Sequence, residues 1–410
     1  PCGPVNGGMK VRAGPRRGKR NFPAVVTWAR LGRATPGPMN EKVLAIDYLR
    51  ALSILALVLC HLILPLNGMP PTEYSGFPVL FTLRDLLNLC VVTLVACSGF
   101  ALHLSTTRFE FTAKGVWAFY KKRFRRLLFP WFHYVVFSIL VYGVVALFFP
   151  GFRAWLLKAY PFLSVAEFGG IPFAWITLKW IVILLLLLTL LFPLLRFAYR
   201  RQPLLIGILI ACYLASSVLS LLYPLDVARY RDLGFAPIPL LLMVLSFVLG
   251  WSLVCIFGFS LERLYNGERF MKKDMKVTFL AILLFVAVDV TYRALGLPLT
   301  MGANKFPPSP YYLVLGMMVT LVLLSFFISF KALFQSYPRV VLEFISANSY
   351  WLYLWSLVLL FISNYIFSFF SLHPYLKLPL EFLCNGVVLF LLVTAQKHIK
   401  IDVYLQKQAI

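Results

Sequence analysis

Beyond residue 40 the chain is built from long apolar runs separated by short polar interruptions. Ten runs stand out, near 43–64, 79–103, 127–149, 174–196, 203–223, 236–257, 277–296, 311–331, 342–369 and 378–396. None shows the alternate-residue pattern of a half-buried strand. A helix crossing a bilayer needs about 20 apolar residues. The pattern therefore predicts an all-α fold, a polytopic membrane bundle of about ten transmembrane helices. Residues 1–40 are different: rich in Gly, Pro, Arg and Lys, with no acid before Glu41 and no apolar period. They read as a disordered basic tail. Met39 stands directly before the first run, so a start there would place residues 1–38 outside the native protein. The transmembrane domain is expected at 41–396 and a short cytoplasmic tail at 397–410.

Composition narrows the class. The chain is 61% hydrophobic and 13% charged, against about half and a quarter for a soluble domain. That excludes a soluble globular enzyme and leaves no length for a large soluble domain. The net charge of +24 has a topological reading, because basic residues collect in cytoplasmic loops and meet anionic headgroups. With the N-terminus inside, 29 of the 39 Lys and Arg residues fall on the cytoplasmic side and six on the outer side. Both termini are then cytoplasmic and the lipid bilayer is the first partner. No nucleic-acid motif accompanies the charge. The seven cysteines occur singly, without disulfide or zinc spacing. There is also no phosphate-binding loop, no His-Glu-x-x-His and no Gly-x-Ser-x-Gly.

Ionisable groups inside spans are costly and mark function or pairing. The first span carries Asp47, Arg50 and His61. Arg50 and His61 are 11 positions apart, about three turns, so they share a face roughly 16 Å apart along the axis. Asp47 can pair with Arg50 at i,i+3. Read structurally, Arg50 is a snorkelling residue and His61 an interfacial one. In the second span, Asp85 lies at the depth of His61 and could orient that imidazole, or simply pair with Arg84. The span ends in Ser98-Gly99-Phe100, whose small residues allow close helix approach. The loop before the third span reads FYKKRFRRLLFPWF. Its Lys121, Lys122, Arg123, Arg125 and Arg126 form a cationic cluster suited to phosphate, or to lipid headgroups. Asp289 and Arg293 can neutralise each other at i,i+4, and Lys179 can snorkel. Glu381 has no evident partner.

Three motifs follow in order: IDYLRALSILALVLCH, with ten residues between Arg50 and His61; SGF at 98–100; and RFRRLLFPW with Arg123-x-x-Arg126. Together they resemble the acyltransferase 3 family of membrane O-acyltransferases. Fainter echoes are PFAWITLKW, SFVLGW, FPPSPYYLVLG and NSYWLYLW. Departures fall at Val95, Ala96 and Cys97, at Ala174 and at Ser356, where the family favours aromatics or histidine; they bear on the acceptor site more than the donor site. The resemblance implies ten spans with both termini inside. It implies transfer of an acyl group from cytoplasmic acyl-CoA, acetyl-CoA first, to a hydroxyl of an envelope glycan or similar acceptor, without a metal, at the cell (inner) membrane. It implies His61 and Arg50 as catalytic residues, and the reading of the second span adds Asp85 beside them. Arg123 and Arg126, with Arg125 and Lys122, are expected to hold the CoA phosphates. The alternatives are a secondary transporter or flippase of an envelope glycan or lipid, and a non-catalytic scaffold.

Overall fold

The computed structural model describes residues 38–63, 78–106, 112–149, 151–152, 154, 180–201, 203–222, 237–265, 270–301, 304–305, 307–330, 337–370 and 373–398. The basic tail up to residue 37, Ala174, Lys179 and the last twelve residues lie outside them. The chain divides into residues 1–41 and a unit running from Lys42 to Ile410. Of the first unit only the helical residues from Pro38 onward are described.

The described residues form twelve helices and no strand. They are α1 Pro38–Ile63, α2 Pro78–Asn88, α3 Cys90–Ser105, α4 Ala113–Phe148, α5 Trp180–Arg201 and α6 Pro203–Leu222. Then come α7 Pro237–Tyr265, α8 Phe270–Ala294, α9 Pro310–Ser329, α10 Tyr337–Ala347, α11 Ser349–Phe367 and α12 Pro374–His398. Among the described residues nine spans are long and apolar enough to cross a bilayer, α2 and α3 counting as one, and α6 supplies a shorter tenth apolar segment. In lipid every backbone group must be satisfied within its own segment, which is why the apolar runs resolve into helices. Below, the inner end of a helix is the one on the side of the basic excess.

Burial sorts these helices. In the α2–α3 span 72% of the most apolar window is buried and in α1 61%, against 6% in α8 and 11% in α4. The first two spans are thus the interior, and α8 and α4 turn their Leu, Phe and Val side chains outward, where lipid is the solvent. The broadest helix–helix contact joins α3 to α7. Glycine makes it feasible: a Cβ on Gly99 would lie 2.5 Å from the Cys255 carbonyl oxygen, and one on Gly258 would run into that of Ala96. The small residues of the Ser-Gly-Phe element do let two backbones meet.

Of the boundaries that differ from expectation, three bear on the site. The cationic stretch before the third span is no loop. It is the first part of α4, which Thr112 starts by accepting a hydrogen bond from Gly115 N at 3.1 Å. At 36 residues, α4 is about 54 Å long, so it projects well past a hydrocarbon layer about 30 Å thick, on the side that carries the charges. The second span tightens where α2 meets α3. There Val92 N bonds to Leu89 O at 3.0 Å, which leaves Asn88 O to accept from the Tyr312 hydroxyl at 2.8 Å. The ninth run begins with a separate helix, α10, ended by Asn348, whose Nδ2 donates to Phe344 O at 2.6 Å. Arg339 and Glu343 lie on α10 with Val340 and Val341 exposed, the pattern of a helix lying along the membrane surface.

Candidate active site

Arg50 and His61 lie on one unbroken helix, and both are half-buried. The α1 geometry therefore keeps the stripe expected of them, about 16 Å long. Each end of it meets a different set of side chains.

At the inner end, Arg50 Nη1 stands 3.7 Å from Asp47 Oδ1. The same oxygen accepts a hydrogen bond from Ser346 Oγ of α10 at 2.7 Å. Arg123 donates to Ser105 Oγ at the end of α3 and lies over the Phe119 ring, 5.9 Å from its centre. The charges of Arg50 and Arg126 both bear on Arg123, so the first-span arginine and the Arg-x-x-Arg pair form one cationic locus. Arg123 is half-buried, whereas Lys121, Lys122, Arg125 and Arg126 are exposed. Arg123 thus turns into the bundle and the other four stand at its surface, an arrangement able to take a multiply charged anion. Pro130 sits inside α4 and, having no N–H, leaves the Arg126 carbonyl without its helical donor. One residue on, Leu127 O accepts the Tyr350 hydroxyl at 2.8 Å. The late NSYWLYLW element is thereby tied to the basic helix.

At the outer end, His61 occupies the last turn of α1. Its chain neighbour Cys60 turns its thiol to Asn88 Oδ1 at 3.7 Å and to Arg84 O at 3.9 Å. Asp85 stands 3.9 Å from Arg84, and its buried Oδ1 accepts no hydrogen bond among the described residues. The structure brings Asp85 to the region of Cys60 and gives it Arg84 as its ion partner.

Two residues here carried little signal in sequence. Lys305, counted there as an outer-loop charge, reaches Asn88 Oδ1 at 3.0 Å and lies 5.2 Å from the centre of the Trp180 ring. Burial pushes its ammonium below the ordinary lysine range, and the nearby thiols of Cys60 and Cys90 act the other way. Its loop is pinned by Asn304, which donates to Pro298 O and Thr300 O and accepts from Ser309 Oγ at 2.6 Å. Glu381 was visible in sequence only as a charge in a span. It is 2% exposed, and its Oε1 has no hydrogen-bond partner among the described residues. Asn385 of the same helix donates to Glu381 O and to Ser363 Oγ of α11. Among the described residues no three His, Cys, Asp or Glu side chains converge as a metal site.

Comparison with known proteins follows the same lines. The family model of acyltransferase 3, described as an acyltransferase domain, matches residues 43–395. Searches of curated proteins and of solved structures return no match. The matched stretch includes both ends of the α1 stripe, the basic part of α4 and Glu381.

Proposed function

This chain belongs to the acyltransferase 3 family, and from that premise we propose that it carries an acyl group, acetyl first, from cytoplasmic acyl-CoA to a hydroxyl of an envelope glycan. The observation that carries the reading is the divided stripe of α1. A cationic locus of Arg50, Arg123 and Arg126 occupies one end, and a titratable imidazole the other.

The separation assigns the roles. Side chains whose backbones are about 16 Å apart along one helix do not reach the same carbonyl. Arg50 therefore belongs with the CoA phosphates, alongside Arg123 and Arg126, with Lys122 and Arg125 at the aqueous rim. The pantetheine arm then runs outward along α1 and presents the thioester near His61. The imidazole takes the proton of the acceptor hydroxyl as its oxygen attacks the thioester carbonyl. The C–S bond breaks, the ester forms, and His61 returns the proton to the departing thiolate. Lys305 and Asn88 form the wall beside Cys60 where the acceptor arrives. Asp85 shapes the electrostatics of that wall through Arg84. The protein is an integral, multi-pass membrane enzyme, and the cell (inner) membrane fits a cytoplasmic donor meeting an outer acceptor.

The test uses membranes containing wild-type protein or His61→Ala and radiolabelled acetyl-CoA, with label followed into envelope glycan. Label is expected with wild type alone, the variant losing at least a hundredfold. Equal label from both would remove the chemistry from α1. A protein whose melting temperature ignores CoA would favour the transporter alternative.

A further inference from the structure

The inner end of α1 contains a contact that the transfer chemistry does not call for. Ser346, on the surface helix α10, donates at 2.7 Å to Asp47 Oδ1. That oxygen is also the one facing Arg50, at 3.7 Å. An arginine and a carboxylate three residues apart on one helix can close into a hydrogen-bonded fork at about 2.7–2.9 Å. Here they do not. Among the described residues Arg50 donates no hydrogen bond, although its side chain is only 22% exposed.

We propose that Ser346 is a positioning residue for donor binding: it holds the Asp47 carboxylate off Arg50, so that the guanidinium stays open to a CoA phosphate. The inference rests on the acyl-CoA reading above. Every element around the pair fits it. From α10, Arg339 and Glu343 close on each other at 2.8 Å, so neither displaces Asp47, and the Glu343 charge bears on the Asp47 carboxylate itself. From α4, Arg123 and Arg126 supply the rest of the cationic locus. From α3, Cys97 Sγ donates to the Ile46 carbonyl at 3.9 Å. The serine hydroxyl is thus the one described neutral group that hydrogen-bonds the Asp47 carboxylate, and it does so from α10, a helix separate from the spans that carry the cations.

Without that hydroxyl, Asp47 is free to close on Arg50 and to compete with phosphate. The consequence is an order of dependence that a merely structural serine would not produce. Ser346→Ala should weaken CoA binding about tenfold, the factor that goes with one hydrogen bond to a charged group. Asp47→Asn removes the competitor, so Asp47→Asn/Ser346→Ala should bind as Asp47→Asn does. Ser346→Thr, which keeps the hydroxyl, should bind as wild type.

The measurement is calorimetric titration of the purified full-length protein with CoA for these five proteins, with melting temperatures taken in its absence. In turnover, Ser346→Ala should raise KM for acetyl-CoA and leave kcat near wild type. Wild-type affinity in Ser346→Ala overturns the proposal. So do additive losses in the double variant, the mark of two independent structural defects. If wild type binds no CoA, the donor reading fails and this inference falls with it. CoA binding by wild type with an indifferent serine would sink this inference alone.

Discussion

Glu381 is expensive where it stands. A carboxyl on a membrane span, 2% exposed and with Oε1 unpartnered among the described residues, is retained against a cost of about 1–3 kcal/mol for an unmade hydrogen bond. Glu381→Leu should therefore raise the melting temperature and lower acyl transfer at least tenfold. The check is a thermal melt beside the label-transfer assay, and a variant both more stable and fully active would mark the carboxyl as incidental. At this scale sequence distance decides what can be read in advance. The Asp47–Arg50 and Asp289–Arg293 pairs are legible because helical geometry alone brings i,i+3 and i,i+4 together: Asp289 and Arg293 close to a hydrogen bond at 2.7 Å, and Asp47 and Arg50 face each other at 3.7 Å without one. The Ser346–Asp47 bond spans 299 positions and the Lys305–Asn88 bond 217. Nothing local in either segment encodes them, so one serine and one lysine of the site stay invisible until the chain is folded.

Helices carry the next level of the argument. The existence of each span follows from its apolar length, and the runs at 203–223 and 311–331 return as α6 and α9 close to their expected bounds. The ends of α4, α2 and α10 do not, because hydropathy is blind to them. The basic residues of α4 are good helix formers, so a helix continues through a stretch that charge alone marks as a loop. The break at Asn348 depends on a side chain bonding its own helix. The α3–α7 crossing yields a prediction of its own. Gly258 meets the α3 backbone around Ala96, and a leucine there would force the helices apart. Gly258→Leu should destabilise by about 1–3 kcal/mol or more. The Ser105 anchor of Arg123 lies at the inner end of α3, so the separation should also weaken CoA binding. Gly207→Leu, on α6 with open space around it, is the control, and equal behaviour of the two would contradict the crossing as a constraint.

For the molecule as a whole, the division of labour along α1 demands that its two ends face different compartments. The basic excess on one side of the spans sets that orientation. The structure places the exposed Lys121 at the inner part of α4 and Lys377 at the outer start of α12. An opposite or mixed orientation would put the CoA locus away from the cytoplasm and make the reading of Arg50, Arg123 and Arg126 untenable, however well the family motifs match. Single Lys121→Cys and Lys377→Cys variants decide this when treated with a membrane-impermeant maleimide. In sealed, outside-facing vesicles or spheroplasts, Lys377→Cys should label and Lys121→Cys should not, and opening the membrane should expose the second. The native Cys212 and Cys384 sit within apolar helices and provide a low background, read from wild type. Labelling of Lys121→Cys from outside would reverse the bundle. Donor and acceptor would then have to exchange ends, and His61, at the far end of the stripe, would face the cytoplasm without the cations that a CoA thioester needs to find it.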